Sequence, residues 1–238
     1  MRSLALLIAL LFAPVVAQAA DGLGVVEAQY GPDVDVYPHR IMGSIQEKQA
    51  LSVVDQNGRT HRIVLASNVF EDMAPRVADM DGDGLNDVVV IETDVNLGAS
   101  LAIYSLGADG LFKLAATPHI GRAFRWLAPA GIADFDGDGQ NDVAYVETPH
   151  LGKVLRFWTI RDGALVEIAA ARGLTNHRIG DEFITGGVRD CNDAVEVVTA
   201  SADWAHVIAT SLVDGGMEFK TVSTYKGPQS FTDALACR

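Results

Sequence analysis

Four Asn-Gly or Asp-Gly steps punctuate the chain at nearly equal intervals: Asn57-Gly58, Asp109-Gly110, Asp162-Gly163 and Asp214-Gly215, spaced by 52, 53 and 52 residues. Such dipeptides favour two-residue hairpins, because a type I′ turn needs positive φ at both central positions. Each step is flanked by short strand-like runs. They are Leu51–Val54 and His61–Leu65 at the first, then Leu101–Tyr104 and Leu111–Leu114. Val154–Trp158 and Leu165–Ile168 follow, and His206–Ala209 and Met217–Lys220 close the series. No glycine–proline-rich linker interrupts it. A unit repeated at this period cannot bury its apolar face alone and must stack on its neighbours. About 40–50 residues suffice for a four-stranded antiparallel sheet with its turns, the size of a propeller blade.

A second repeat lies inside the first. Asp79-Met-Asp-Gly-Asp-Gly-Leu-Asn-Asp87 and Asp134-Phe-Asp-Gly-Asp-Gly-Gln-Asn-Asp142 are nearly one nine-residue word. Carboxylates fall at positions 1, 3, 5 and 9, with glycines at 4 and 6. Alternate spacing through a tight loop aims several oxygens at one centre, which suits a hard cation that takes six to eight oxygen ligands. The expected ligands are Asp79, Asp81, Asp83, the Leu85 carbonyl and Asp87 in one loop. In the other they are Asp134, Asp136, Asp138, the Gln140 carbonyl and Asp142. An EF-hand would need a bidentate Glu at position 12; those positions are Val90 and Tyr145. The β-branched and aromatic runs Val88–Ile91 and Val143–Val146 read as buried strands, so each loop joins strand to strand. Aligned on the strand that follows, the corresponding segments of the outer repeats are 27–35 and 190–196, both degraded. About two bound Ca²⁺ and two relic loops are expected.

The pattern Asp-x-Asp-Gly-Asp-Gly-x-x-Asp before a hydrophobic strand, once per repeat, resembles the FG-GAP/VCBS repeat family, which includes integrin α-chain propellers and many secreted bacterial proteins. The match is specific over 79–91 and 134–146, and the hairpin series extends it over about 22–238. The resemblance implies an all-β fold, a β-propeller of about four blades built from repeats of about 53 residues, whose loop aspartates bind Ca²⁺. The repeats fall near 24–75, 76–130, 131–186 and 187–238. Activity does not follow from it, because such folds host many functions.

The N-terminus carries Arg2, an apolar run over Leu4–Val16 and then Ala17-Gln18-Ala19. This is the layout of a secretory signal peptide, expected to end at residue 19 or 20. The run is too short to span a membrane as a helix, so a periplasmic or secreted protein is expected. The remaining residues form one domain, and the 49% hydrophobic content is enough for a substantial core. The net charge of −13, or −14 without Arg2, argues against nucleic acid and anionic membranes as partners. Cys191 and Cys237, the only cysteines, are expected to pair in an oxidising compartment. The phrase before each is similar, which places them on neighbouring blades and has the bond pin a C-terminal strand where the ring closes.

No Gly-x-Ser-x-Gly, His-Glu-x-x-His, P-loop or Cys-x-x-Cys occurs. The phrases Thr117-Pro-His119-Ile-Gly121 and Thr148-Pro-His150-Leu-Gly152 read as turns. His119, Arg122, Arg125 and Trp126 gather cationic and aromatic groups in an acidic chain. They form a possible ligand surface for an anionic sugar or carboxylate. Structurally, Trp126 reads as core and the arginines as partners of abundant aspartates. The function expected is a non-catalytic binding or interaction module, monomeric, with a protein or carbohydrate ligand. The alternative is an exported hydrolase or lyase acting on carbohydrate or phosphoester at the propeller axis.

Overall fold

The computed structural model describes residues 23–191 and 194–238. The expected leader falls outside them. Four antiparallel sheets follow one another along the chain. The first holds β1 (Val25–Tyr30), β2 (Ala50–Asp55) and β3 (Thr60–Val64). The second holds β4 (Asn68–Phe70), β5 (Arg76–Ala78), β6 (Asp87–Asp94), β7 (Gly98–Gly107) and β8 (Gly110–Ala116). In the third are β9 (Leu127–Ala133), β10 (Asp142–Glu147), β11 (Val154–Arg161) and β12 (Ala164–Arg172). The fourth contains β13 (Leu174–Thr175), β14 (Gly187–Asp190), β15 (Val195–Ser201), β16 (His206–Val213) and β17 (Gly216–Thr224), and helix α1 (Gln229–Leu235) ends the chain. The sheets stack face to face in chain order, a propeller-like all-β architecture.

The stacking explains the unalternating apolar runs. Along β6, Val88 and Val90 pack toward the first sheet, while Val89 and Ile91 pack toward the third. Along β10, Val143 and Tyr145 face back, while Ala144 and Val146 face the fourth sheet. A strand covered on both faces has no polar side to show. The outermost strands are different: β3 alternates between exposed and half-buried residues, and β12 mixes the two without a fully buried residue.

Two hairpins follow the turn rule closely. Arg161 pairs with Ala164 across Asp162 and Gly163, and Val213 with Gly216 across Asp214 and Gly215. All four turn residues have φ between 50° and 76°. The second hairpin is shifted by one residue. Gly107 pairs with Gly110, so the turn is Ala108-Asp109 rather than Asp109-Gly110.

Other expectations are corrected. Residues 27–30 of the expected first relic loop belong to β1, where Glu27 pairs with Val54 and Gln29 with Ser52. The polar residues there occupy one face of a strand, and Val25, Ala28 and Tyr30 pack on the second sheet. Sheet boundaries also precede the repeat boundaries. β4 and β5 both pair with β6, and β13 and β14 both pair with β15. In the second and fourth sheets the first strand is split into pieces too short to register as apolar runs, whereas β9 is continuous. At the C-terminus a helix, not a strand, follows the fourth sheet, and Phe231 and Ala234 pack on Val198, Ala200 and Val207. The Cys191–Cys237 disulfide is formed, with Cα atoms 5.9 Å apart. It fastens this helix to its own sheet instead of joining neighbouring blades. Among the described residues, strands of the first and fourth sheets share no buried cluster.

The two ends are bridged by the long segment 31–49 between β1 and β2. Its Ile41 and Met42 enter the core between the second and third sheets. Beyond that core, Gly180 N–H donates to Ile41 O (3.2 Å) and Ser44 N–H to Glu182 Oε1 (3.2 Å).

Candidate metal-binding loops

Both aspartate words fold into the same hydrogen-bonded loop. In the first, Asp79 accepts from Gly82 N–H (2.8 Å) and Gly84 N–H (2.9 Å). In the second, Asp134 accepts from Gly137 N–H (2.7 Å) and Gly139 N–H (2.9 Å). The position-5 carboxylates Asp83 and Asp138 accept from Leu85 N–H and Gln140 N–H at 2.8 and 2.9 Å. Position 9 closes each loop: Asp87 Oδ2 takes Met80 N–H and Asp142 Oδ2 takes Phe135 N–H. Gly82, Gly84, Gly137 and Gly139 all have φ between 77° and 92°, a backbone that glycine adopts without strain.

These hydrogen bonds turn carboxylates inward on one another. Oxygens of Asp79, Asp81 and Asp87 lie within 4.8 Å of each other, as do those of Asp134, Asp136 and Asp138. The groupings differ in one member: position 9 completes the first and position 5 the second. Like charges so close raise each other's proton affinity. Asp81 is shifted upward, first by desolvation and then by Asp83 and Asp79. Burial pushes Asp87 and Asp142 from an ordinary 3.8 to about 6, with the loop aspartates pushing the same way. Asp142 Oδ1 is buried without a hydrogen-bond partner among the described residues. Arg161 approaches Asp136 only to 3.9 Å. Three convergent oxygens, a glycine-hinged loop and an underneutralised buried carboxylate fit a hard divalent cation.

Residues 52–145, from β2 into β10, match the family model of the FG-GAP-like repeat. This stretch of the chain is similar to FG-GAP-like repeats. Both aspartate loops fall inside the matched segment. Comparison with curated proteins gave no match.

The two aspartate loops do more than gather carboxylates. Position 8 is asparagine in both, and each latches its loop to the preceding sheet. Asn86 Nδ2–H donates to Val25 O (3.2 Å), and Asn141 Nδ2–H donates to Asp79 O (2.9 Å). Gln140 Nε2–H adds bonds to Met80 O (2.9 Å) and Ile160 O (3.0 Å). The second loop is therefore tied to the backbone of the first. Sequence reasoning missed this role, although the shared Asn was visible in both words. Asn141→Ala should destabilise the protein by about 1–2 kcal/mol, since it strands a partly buried carbonyl. Chemical denaturation checks this, and an unchanged midpoint would remove the latch.

The fourth sheet carries an ion pair at the corresponding place. There, Cys191 and Ala194 exchange backbone hydrogen bonds. Glu196 is held in β15 by buried Arg189, Nε to Oε2 at 2.7 Å. A guanidinium thus neutralises the carboxylate there.

The four residues of the expected ligand surface do not line one cavity. His119 Nδ1 meets Gly98 O (2.8 Å) beside a cleft with Tyr145 and Glu147. Arg122 is exposed, and its carbonyl packs on the Cα of Gly98. Arg125 and Trp126 line a different cavity with His39 and His150. Trp126 is 2% exposed and donates Nε1–H to Glu71 O (2.7 Å), so it belongs to the core while walling that cavity.

Proposed function

We propose that this protein is an exported β-propeller of about four blades, stabilised by two Ca²⁺ ions, that acts as a non-catalytic binding or interaction module. The observation that carries this reading is the duplicated loop: two sequence words adopt one hydrogen-bond pattern and converge three carboxylates each. Ca²⁺ suits the all-oxygen donor set and the flexible, glycine-hinged frame better than Mg²⁺, which demands a stricter octahedron. The chain itself would bind through the Asp oxygens, orient them through the glycine N–H groups and exclude water at Asp87 and Asp142. Bound Ca²⁺ would supply the positive charge that these clusters lack. The fold supplies the interaction surface, as FG-GAP-like repeats do in propeller modules. Export accords with a disulfide-bonded chain in which no helix of the described residues is long and apolar enough to cross a membrane. The loop carboxylates are engaged with backbone N–H groups and with each other, an arrangement for holding a cation rather than moving protons.

Calorimetric titration of the mature protein tests this. About two Ca²⁺ should bind per chain at neutral pH. Affinity should fall about tenfold or more per site at about pH 5, where an acid of pKa near 6 is only about one-tenth ionised. Without the cation the sign reverses. A carboxyl raised in the fold favours folding when protonated, so metal-free stability should fall as pH rises from 3.8 to about 6 and level off above. Equal Ca²⁺ affinity at the two pH values would remove Asp87 and Asp142 from the sites.

A further inference from the structure

The segment between β1 and β2 lays His39 and Ile41 against Phe124, Trp126 and the turn at 148–151, around a cavity of about 280 Å³. It shares no residue with either aspartate loop. An apolar cavity of about 150 Å³ accepts benzene, so this one has room for two fused rings. Its walls are aromatic. The Trp126 ring stacks on His150, with centroids 6.4 Å apart and planes at 14°, and Phe124 stacks on Tyr37 at 4.9 Å and 10°. Phe124, Leu151 and Ile179 at the rim are 46%, 63% and 70% exposed. Clustered exposed apolar side chains mark binding surfaces.

The backbone is held in unusual states at the same place. Phe124 has φ 55° and Thr148 φ 45°. A bulky or β-branched residue at positive φ is strained, and such strain concentrates at ligand sites. Phe124 is held by its own N–H, which bonds to Tyr37 Oη.

The charge of the site runs against that of the protein. The chain carries a net −13, yet no carboxylate lines this cavity. His39 Nδ1 meets Glu71 Oε1 behind the wall, and that glutamate is fully buried. His177 Nε2–H donates to Asp181 O (2.9 Å), leaving Nδ1 to accept from His150 Nε2–H (2.9 Å). Burial holds both imidazoles low, His150 at about 4, so this pair is neutral at neutral pH. Arg125 is left as the uncompensated charge on the lining. One of its N–H groups bonds to Phe124 O (2.7 Å), and among the described residues no carboxylate reaches it. A guanidinium in an aromatic, acid-free cavity recognises an anion attached to an apolar body.

We propose that this cavity binds a small aromatic carboxylate, its ring system between Trp126 and Phe124 and its carboxylate on Arg125. The site goes beyond the calcium-dependent reading and does not depend on it. The test is calorimetric titration of the full mature chain, with Ca²⁺ present, using 2-naphthoate, its neutral amide 2-naphthamide and the cationic 2-naphthylmethylammonium. Naphthoate should bind saturably with one site per chain. The amide and the amine should bind about tenfold more weakly or worse, as should naphthoate to Arg125→Gln, the scale of a lost charge-assisted hydrogen bond. Leu151→Glu, at an exposed rim position that costs no folding, should weaken naphthoate similarly by adding a carboxylate. Equal binding of the three probes, indifference to both substitutions, or no saturable naphthoate binding would each overturn the assignment.

Discussion

Chelation should lower the melting temperature of the mature protein by about 10–20 °C relative to a Ca²⁺-saturated sample. At a ligand concentration about 100-fold above Kd, each site adds about 2.7 kcal/mol, so two sites add about 5 kcal/mol. For a chain of this size, 1 kcal/mol moves the melting temperature by about 2–4 °C. The structure says which parts should loosen first. Asp79 and Asp134 each hold two glycine N–H groups, and each loop is latched to the sheet before it. Asp134→Asn should remove about half of the Ca²⁺-dependent gain and one bound ion, and the double substitution with Asp79→Asn should remove nearly all of it. Thermal melts of these variants with and without EDTA are the check. A melt of the wild-type protein that ignores EDTA, from a sample shown to hold the metal, would end the structural-ion reading.

Loss of the disulfide should cost about 4 kcal/mol, the chain-entropy value for a bridge spanning 46 residues. In Cys237→Ser the damage should concentrate at the C-terminal end. There α1 covers Val198, Ala200 and Val207, and Arg189 Nη1–H donates to Ala234 O (3.0 Å). If the helix lifts, Arg189 loses that acceptor and Trp204 loses its Phe231 neighbour, whose ring centroid lies 6.3 Å away. Limited proteolysis should therefore cut near 225–229 in the variant and spare the wild type. A melting temperature within about 2 °C of wild type would mean that α1 holds without its staple.

The repeat was legible because it rests on local chemistry. Asp162-Gly163 and Asp214-Gly215 set their turns by φ alone, and two aspartate words fold alike because their hydrogen bonds lie within nine residues. What stayed hidden depends on distant partners. Glu27 and Gln29 looked like degraded loop positions but lie on the polar face of β1, which is decided by pairing with β2. β4 and β13 are too short to show any period. The helix after β17 covers the outer face of the fourth sheet, a need that becomes visible only once that sheet is seen, among the described residues, to share no buried cluster with the first. The cavity was half legible. Arg125 and Trp126 stood out as cationic and aromatic, but His39, His150 and Ile179 arrive from three other stretches of chain. His119 and Arg122, adjacent in sequence, are carried elsewhere.

The stacking order has a consequence for how the molecule can be made. Each sheet rests mainly on the one before it, so a chain emerging N-terminus first can lay down finished layers while its remainder is still in a tunnel or channel. The bond from Cys191 must wait for Cys237, which follows α1. The oxidation that staples α1 therefore comes after the fourth layer has emerged, a covalent clasp closed on a sheet already laid down.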